Sequence, residues 1–420
     1  MEYGLIGSKL GHSYSKIIHE RLCGYEYELR PLPTEAEARR FLEERPFRAI
    51  NVTIPYKRLV MEYCDEIDPR AAAIGAVNTV VNRDGKLYGW NTDYMGFAHL
   101  CRSRGVAFAG RTVLILGTGG THNTAAAVAR DEGAARVLTA SRRPDPAKGW
   151  ISYEEAVRSG AQVVINTTPA GMYPDVGQCL LDVAAMPGLE AVVDVVYNPA
   201  RTELLLRAEE AGVPVTACGL EMLVAQAVWA AEYFLDKPFA DREGEICRSA
   251  AALRRDILNV SLVGMPSSGK TTLGRALAAA LGRPFVDLDE EIVRADGRSI
   301  PEIFAAEGED GFRARETEQV RRFGKESGLL ISCGGGVVKR PENVRALRQN
   351  GLVLFVDRPL EALAVGGGRP LSSSPEALRA MEAERRPLYE KAADAVIRND
   401  GTAEDAAARA LQALNELFAQ

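Results

Sequence analysis

The sequence predicts an α/β protein of largely parallel sheets, built in two successive parts. Three observations carry that expectation. Three short apolar runs end in glycine-rich turns: Arg111 to Leu116 before Gly117-Thr-Gly119-Gly120, Asn259 to Val263 before Gly264, and Leu329 to Cys333 before Gly334-Gly335-Gly336. A run of this length closed by glycines reads as a parallel strand, buried on both faces, that leads into a ligand-binding turn. Alanine-rich helical stretches follow the first two turns, as a crossover connection requires. The 420 residues also exceed one core at roughly 100 to 200 residues per domain. The polar stretch Asp236 to Glu245, with Pro238 and Gly244, reads as a connector between the parts. The expected division is residues 1–100, 101–236, a linker over 237–256, and 257–420. Residues 403–418 read as a closing amphipathic helix.

Composition narrows the class. With 46% hydrophobic and 26% charged residues the chain reads as an ordinary globular protein. Lys and Arg number 51 against 57 Asp and Glu, and neither part carries the basic excess that would suit a nucleic-acid backbone. Seven cysteines are scattered with no C-x-x-C pair, and of the four histidines just His12 and His19 lie close in sequence. Neither a disulfide framework nor a zinc or His-rich metal cluster is expected. The start, Met1-Glu2-Tyr3-Gly4, lacks a basic and apolar leader, and no stretch approaches ~18 uninterrupted apolar residues. The expectation is a cytoplasmic, enzyme-like protein that binds small molecules and neither nucleic acid nor membrane.

In the first part, Gly117, Gly119 and Gly120 form a dinucleotide-type turn. The next strand, Ala135 to Ala140, ends in Ser141-Arg142-Arg143, where an NAD enzyme would place a carboxylate against the ribose 2′-OH. Two guanidinium groups suit a 2′-phosphate instead, so NADP(H) is the expected cofactor. His122 is bulky where the fingerprint favours a small residue, which predicts a looser approach of helix to strand.

Further segments bring a resemblance. Gly4-Leu-Ile-Gly7 with His12-Ser13-Tyr-Ser15, Asn51-Val-Thr53-Ile-Pro-Tyr-Lys57, Gly75-Ala-Val-Asn78-Thr and Gly89-Trp-Asn-Thr-Asp93 with Gly96 are similar to the substrate domain of shikimate dehydrogenases. Asn166-Thr-Thr-Pro-Ala-Gly171-Met, Asp194-Val-Val-Tyr197-Asn-Pro and Gly219-Leu-Glu-Met-Leu-Val-Ala-Gln226 resemble the family's Rossmann-type cofactor domain and return helix. The family's Ser-Pro is Ser15-Lys16 here, which keeps the hydroxyl and changes the backbone restraint. Reducing a ring ketone by hydride requires a proton for the developing alkoxide. Lys57 is the candidate acid, with Asp93 orienting it, and the resemblance implies the same pair. Ser13, Ser15, Thr53, Asn78 and Gln226 are expected to supply neutral donors and acceptors to hydroxyls and a carboxylate, with Tyr197 beside them. Gly219 is assigned to the cofactor side.

In the second part, Gly264-Met-Pro-Ser-Ser-Gly269-Lys270-Thr271 matches G-x-x-x-x-G-K-[ST] between a strand and the helical run from Thr272. Its glycines let backbone N–H groups curl around phosphate oxygens, Lys270 neutralises the β/γ-phosphates, and Thr271 sits on Mg²⁺. Thr272 is assigned to the same nucleotide site. Asp287-Leu-Asp289 ends the next apolar segment, and alternation along a strand would put both carboxylates on one face.

With the Asp-x-Asp, Gly297-Arg-Ser-Ile-Pro-Glu-Ile-Phe304, Gly308 to Glu316, the triple glycine, Arg369-Pro-Leu and Arg385-Arg-Pro-Leu-Tyr389, residues 257–420 resemble shikimate kinase. The resemblance implies a parallel-sheet P-loop fold of the nucleoside-monophosphate-kinase type. It implies that Asp289 holds the substrate hydroxyls and accepts the proton of the attacking one, and that Asp287 acts through the Mg²⁺ shell. Arg313, Arg385 and Gly335 would grip the carboxylate and ring hydroxyls of shikimate. One departure concerns the lid, which is short and glycine-rich from Leu363 to Arg369 and leaves Arg369 as its expected cation on ATP.

The combined expectation is a bifunctional enzyme. Its first part would reduce 3-dehydroshikimate to shikimate with NADPH. Its second would phosphorylate the 3-hydroxyl of shikimate with MgATP. Quinate reduction or NAD use in the first part, and a non-catalytic ligand sensor, are the alternatives.

Overall fold

The computed structural model describes residues 1–11, 13–363 and 374–419. His12 and Arg369, with the glycine-rich stretch before Arg369, lie outside the described residues. The chain divides into two compact units, Met1–Asn198 with Thr202–Ala250, and Pro199–Arg201 with Ala251–Gln420.

The first unit begins with β1 (Tyr3–Gly7), α1 (Ser15–Cys23), β2 (Tyr27–Pro31), α2 (Glu35–Glu44), β3 (Ala49–Val52), β4 (Glu66–Ile67), α3 (Pro69–Ile74), β5 (Thr79–Arg83), β6 (Lys86–Trp90) and α4 (Thr92–Ser103). Its strands form one mixed sheet in the order β2-β1-β3-β5-β6-β4. β1 runs parallel to β2 and β3, whereas β3–β5 and β5–β6 are antiparallel. Local chemistry sets the helix starts. Thr34 and Glu37 close a capping box on α2, and the Asn91 side chain accepts from the backbone N–H of Tyr94 to start α4.

The same unit continues with β7 (Thr112–Leu116), α5 (Gly120–Asp131), β8 (Arg136–Ala140), β9 (Trp150–Ile151), α6 (Tyr153–Val157), β10 (Val163–Asn166), β11 (Ala191–Asp194), α7 (Glu203–Glu210), β12 (Val215–Cys218) and α8 (Leu220–Leu235). The six strands are all parallel in the order β12-β11-β10-β7-β8-β9. The chain leaves β7 towards β8 and later returns to β10 on its other side, so a crevice opens beyond Leu116 and Asn166 at the switch of direction. The His122 imidazole Nε2 meets the Thr139 hydroxyl on β8 at 2.8 Å.

α8 returns to the first sheet, where Ala230 and Phe234 pack with Tyr3, Leu5 and Tyr27. It crosses α4 closely enough that a Cβ at Gly96 would lie 2.5 Å from the Met222 carbonyl oxygen.

The expected connector proves largely helical. α9 (Arg242–Ile257) occupies most of residues 237–256 and passes from the first unit to the second at Ala250. Ile246, Ala250, Leu253 and Ile257, at helical spacing, are buried. Gly244 does not break the helix because it lies in the first turn, where the Asp241 carboxylate accepts its N–H at 3.0 Å. The polar composition reflected a cap and an exposed helix face.

The second unit holds β13 (Asn259–Val263), α10 (Lys270–Leu281), β14 (Phe285–Asp287), α11 (Leu288–Asp296), α12 (Ile300–Phe323), β15 (Leu330–Ser332), α13 (Pro341–Gln349), β16 (Gly351–Asp357), α14 (Pro375–Ala392), β17 (Ala395–Arg398) and α15 (Ala403–Ala419). The sheet is parallel throughout, in the order β14-β15-β13-β16-β17. The closing helix is present as α15, with Ala406, Ala410, Leu414 and Phe418 buried on one stripe. The acidic pair departs from expectation. β14 stops at Asp287, whose side chain caps α11 by accepting the N–H of Asp289 at 3.1 Å, so Asp289 projects from a first helical turn and not from the strand.

The α4–α8 crossing yields a test. Gly96→Ala should lower the unfolding free energy of the first unit by about 1 to 3 kcal/mol through overpacking. All three tryptophans (Trp90, Trp150, Trp229) lie in that unit, so a urea titration followed by their fluorescence reads the effect. An unshifted midpoint would show that the two helices separate without cost.

Candidate active sites

In the first unit, a cavity of about 530 Å³ opens between the mixed sheet and the parallel one. The loop after β1 delivers Ser13, the start of α1 Ser15, the turn after β3 Thr53 and Lys57, and the first turn of α4 Asp93. Asn78, Tyr197 and Gln226 complete the set, so every substrate-side residue expected of this part shares one cavity. Lys57 Nζ donates to an Asp93 carboxylate oxygen, and both side chains are mostly shielded, at 18% and 14% exposure. A pair held so far from water fixes the ammonium in one direction.

The neutral groups brace one another. Ser13 and Ser15 hydroxyls lie 3.1 Å apart, and the backbone N–H of Thr92 donates to the Asn78 side-chain oxygen at 2.7 Å. Gln226 donates to the Leu223 carbonyl at 2.9 Å, and its own oxygen accepts from the Thr92 hydroxyl at 3.4 Å. Tyr197 lies 5.7 Å from the Tyr14 ring, and burial pushes its phenol up.

The cavity continues to the crevice of the parallel sheet through Thr121, Thr167, Thr168 and Pro169. Gly117 has φ +99°, and a Cβ there would meet the Thr168 methyl at 2.7 Å, so the turn beside β10 admits no side chain. Gly119 caps and Gly120 opens α5, whose first N–H groups lack helical acceptors, though neither glycine nor Gly117 itself lines the cavity. Arg142 and Arg143 are exposed just beyond β8, the neighbour of β7. Gly219 does not line the cavity. A Cβ there would come 2.0 Å from the Val195 carbonyl oxygen, so its visible role is to let α8 start against the loop after β11.

A hub behind this wall went unassigned in the sequence reading. Asp194 is fully buried at the end of β11 and accepts from the Thr202 hydroxyl (2.7 Å), the Val196 N–H (3.0 Å) and the Asn166 side-chain amide (3.0 Å). Asn166 in turn accepts from the Thr168 hydroxyl at 2.7 Å. The two loops that carry Thr168 and Tyr197 are thereby tied together. The signal in sequence was a polar residue closing each of two apolar strands. Burial pushes the Asp194 carboxyl up to about 7, against the pull of those three donors.

The second unit has its own cavity, of about 660 Å³. Gly269, Lys270, Thr271, Thr272, Asp287, Asp289, Arg313, Gly335 and Arg385 all line it. Gly264 lies just outside, at φ +146°, where a Cβ would strike the Val356 carbonyl oxygen at 2.5 Å. Lys270 Nζ donates to the carbonyls of Gly264 and Met265 at 2.9 and 2.8 Å, curling the loop around its own cation. The Thr271 hydroxyl donates to Asp287 at 2.9 Å. Such a pair of hard oxygens fits a magnesium ion that also takes phosphate and water.

Opposite the loop, Arg313 is buried against Glu316 (2.8 Å) and Glu309 (3.1 Å). A Cβ at Gly336 would fall 1.9 Å from its guanidinium, so the third glycine makes the room for it. Arg385 donates to the Gly335 carbonyl at 3.0 Å, and Tyr389 donates to the same oxygen. Glu316, which closes the Gly308 motif, is fully buried. Burial pushes its carboxyl up to about 7, with Arg313 pulling against that shift.

Comparison with known proteins follows the same division. A family model described as the substrate-binding domain of shikimate dehydrogenase matches residues 5–80, and one described as shikimate kinase matches residues 266–415. The NADP(+) shikimate dehydrogenase of Clostridium beijerinckii is 35% identical over 247 residues, 55% of this chain and 90% of that protein. Among solved structures, a chorismate mutase/shikimate 5-dehydrogenase fusion protein from Clostridium acetobutylicum aligns with TM-score 0.55 and 34% identity, over 60% of this chain and 96% of that one. The shikimate 5-dehydrogenase of Thermus thermophilus in complex with NADP(H) and shikimate aligns with TM-score 0.52 and 30% identity, over 59% and 99%.

The Asp194 hub predicts a pH dependence. Its folded-state value lies above the ordinary one near 4, so between about pH 4 and 7 the folded chain keeps a proton that the unfolded chain has released. Stability from this group is full below about pH 4 and is lost as the pH rises towards 7. Asp194→Asn should flatten that fall, seen as a smaller change of urea midpoint across the window than in the parent chain. Equal slopes would mean that the carboxyl is already ionised when folded.

Proposed function

The chain belongs to the shikimate dehydrogenase family over its first unit and carries a shikimate kinase domain in its second, and from that premise we propose that it catalyses two consecutive steps. The first unit reduces 3-dehydroshikimate to shikimate with NADPH. The second phosphorylates the 3-hydroxyl of shikimate with MgATP. A cytoplasmic setting is part of the proposal, since both cofactors are drawn from that compartment's pools.

The observation that carries the reading is the Lys57–Asp93 pair, placed in a cavity that holds neutral hydroxyl and amide groups at one end and opens on the Gly117 crevice at the other. A ligand bearing hydroxyls is held by Ser13, Ser15, Thr53, Asn78 and Gln226, which carry no charge and so orient it through geometry. Gly117 to Gly120 would hold the nicotinamide cofactor and Arg142 and Arg143 would meet its 2′-phosphate, and the bound cofactor would supply the hydride. Lys57 donates the proton that the new alkoxide oxygen takes up, and Asp93 keeps the ammonium aimed and stabilises its charge. Solvent returns the proton to Lys57.

In the second unit the chain's task is positioning and charge. Arg313 and Arg385 present forked donors to a carboxylate and ring hydroxyls. Asp289 takes the proton of the attacking hydroxyl. Lys270 and the loop N–H groups hold the phosphates, while Thr271 and Asp287 fit the magnesium shell. The product of the first unit is the substrate of the second, which supports both assignments together.

Two variants separate the activities. Lys57→Ala should lower ketone reduction by about 10²- to 10⁴-fold and leave phosphorylation unchanged, whereas Lys270→Ala should stop phosphorylation with NADPH oxidation intact. Loss of both activities in either folded variant would overturn the assignment of one reaction to each unit. Cofactor choice has its own test. Replacing Arg142 and Arg143 by Gln should raise KM for NADP⁺ by about tenfold or more relative to that for NAD⁺, and an unchanged ratio would place 2′-phosphate recognition elsewhere.

A further inference from the structure

Among the described residues, the second cavity contains one cation to which neither the motif nor the proposed reaction assigns a role. Arg358 directly follows β16, the strand that pairs with β13 up to Val263 and Phe355, so it emerges level with the start of the phosphate loop. Its Nη1 lies 3.8 Å from the point a Cβ at Gly269 would occupy, and it lines the cavity together with Gly269, Lys270 and Thr272.

Its charge is unmatched among the described residues. Asp357, the adjacent carboxylate, is taken by Arg386 at 2.6 Å, and Glu382 is held by the same arginine at 2.6 Å. Arg358 Nε is buried and has no hydrogen-bond partner among the described residues. A half-buried guanidinium with a desolvated, unsatisfied donor is costly unless an anion completes it. The surrounding backbone is firm. Asn399 donates its side-chain N–H to the Ser268 carbonyl at 2.7 Å and its backbone N–H to the Asp357 carbonyl at 2.7 Å, tying the loop to the start of the Arg358 segment.

We infer that Arg358 is a nucleotide-binding residue whose guanidinium contacts the polyphosphate of the bound nucleoside triphosphate on the Gly269 side of the loop, opposite Lys270. The inference rests on the kinase reading of this unit and adds a residue to it. The loop's N–H groups cradle the α- and β-phosphates while the lysine reaches β and γ. A cation beside Gly269 therefore holds phosphates that ADP and ATP share. It strengthens binding of substrate and product alike, and it does not act selectively on the transferring group.

The test compares the full chain with Arg358→Gln and Arg358→Lys. For Arg358→Gln we expect KM for MgATP and the dissociation constant for MgADP to rise together by about tenfold, with kcat and KM for shikimate unchanged. Arg358→Lys should recover part of the loss, because charge returns without the fork. An unchanged KM for shikimate together with the circular dichroism spectrum reports whether the second unit of each variant is folded, and the lysine variant carries the test if the glutamine variant is not. Unchanged MgADP affinity in folded variants, with the parent chain phosphorylating normally, would overturn the role of Arg358 alone. Equal loss of adenosine and MgADP affinity would overturn it in favour of contact with the base. Failure of the parent chain to bind MgADP would overturn the kinase reading and this inference with it.

Discussion

Parallel strand pairing is the constraint on which the sites depend. A parallel neighbour can be reached just by a crossover that brings the chain back to its starting edge, so all the carboxyl ends of such a sheet open on one side. The chain uses that edge repeatedly. Gly117 follows β7, Thr167 and Thr168 follow β10, and Tyr197 follows β11. In the second unit Gly264 follows β13, Asp287 ends β14, the triple glycine follows β15, and Arg358 follows β16. Residues far apart in sequence meet because their strands all end on that edge. The mixed sheet follows the same logic where it can, with Thr53 and Lys57 in the turn after β3.

At such an edge the backbone must turn within a few residues while neighbouring loops crowd it. Glycine appears where that crowding is measurable. A Cβ at Gly117 would strike Thr168, one at Gly264 would strike the Val356 carbonyl, and one at Gly336 would occupy the place of the Arg313 guanidinium. These positions are vacated so that a cation, a phosphate or another loop can approach the main chain.

The buried charges follow two regimes. Lys57 with Asp93, and Arg313 with Glu309, are opposite charges shielded together, so each has a local partner, whereas burial pushes the Glu316 carboxyl up to about 7 even beside Arg313. Asp194 has neutral donors alone, and burial prevails over them, which drives its carboxyl up to about 7. The first regime holds charge ready for chemistry. The second makes a rigid tie between two loops, independent of any charged partner, and it keeps Thr168 and Tyr197 in register across the crevice.

Much of this was legible in the residues themselves. Apolar runs closed by glycine placed β7, β13 and β15 within a residue or so, because burial on both faces leaves an unbroken apolar signal. The spacing from Gly264 to Thr271 identified a phosphate loop, because few sequences meet its demands on backbone and charge. The amphipathic pattern of residues 403–418 predicted α15, and Ala406, Ala410, Leu414 and Phe418 form its buried stripe. Other features depended on distant neighbours. The polar stretch from Asp241 became the capped start of α9 once Ile246 and Ala250 found a surface to cover, and Asp289 left the strand because Asp287 capped a helix at that point. Asp194 left a local trace, a polar residue closing an apolar strand, but its role and that of Arg358 depend on which partners surround them and which do not. Sequence determines period, turn and motif because these are set by a residue and its near neighbours. Whether a charged group is matched, shielded or left facing a cavity is decided when segments tens of residues apart or more are packed together.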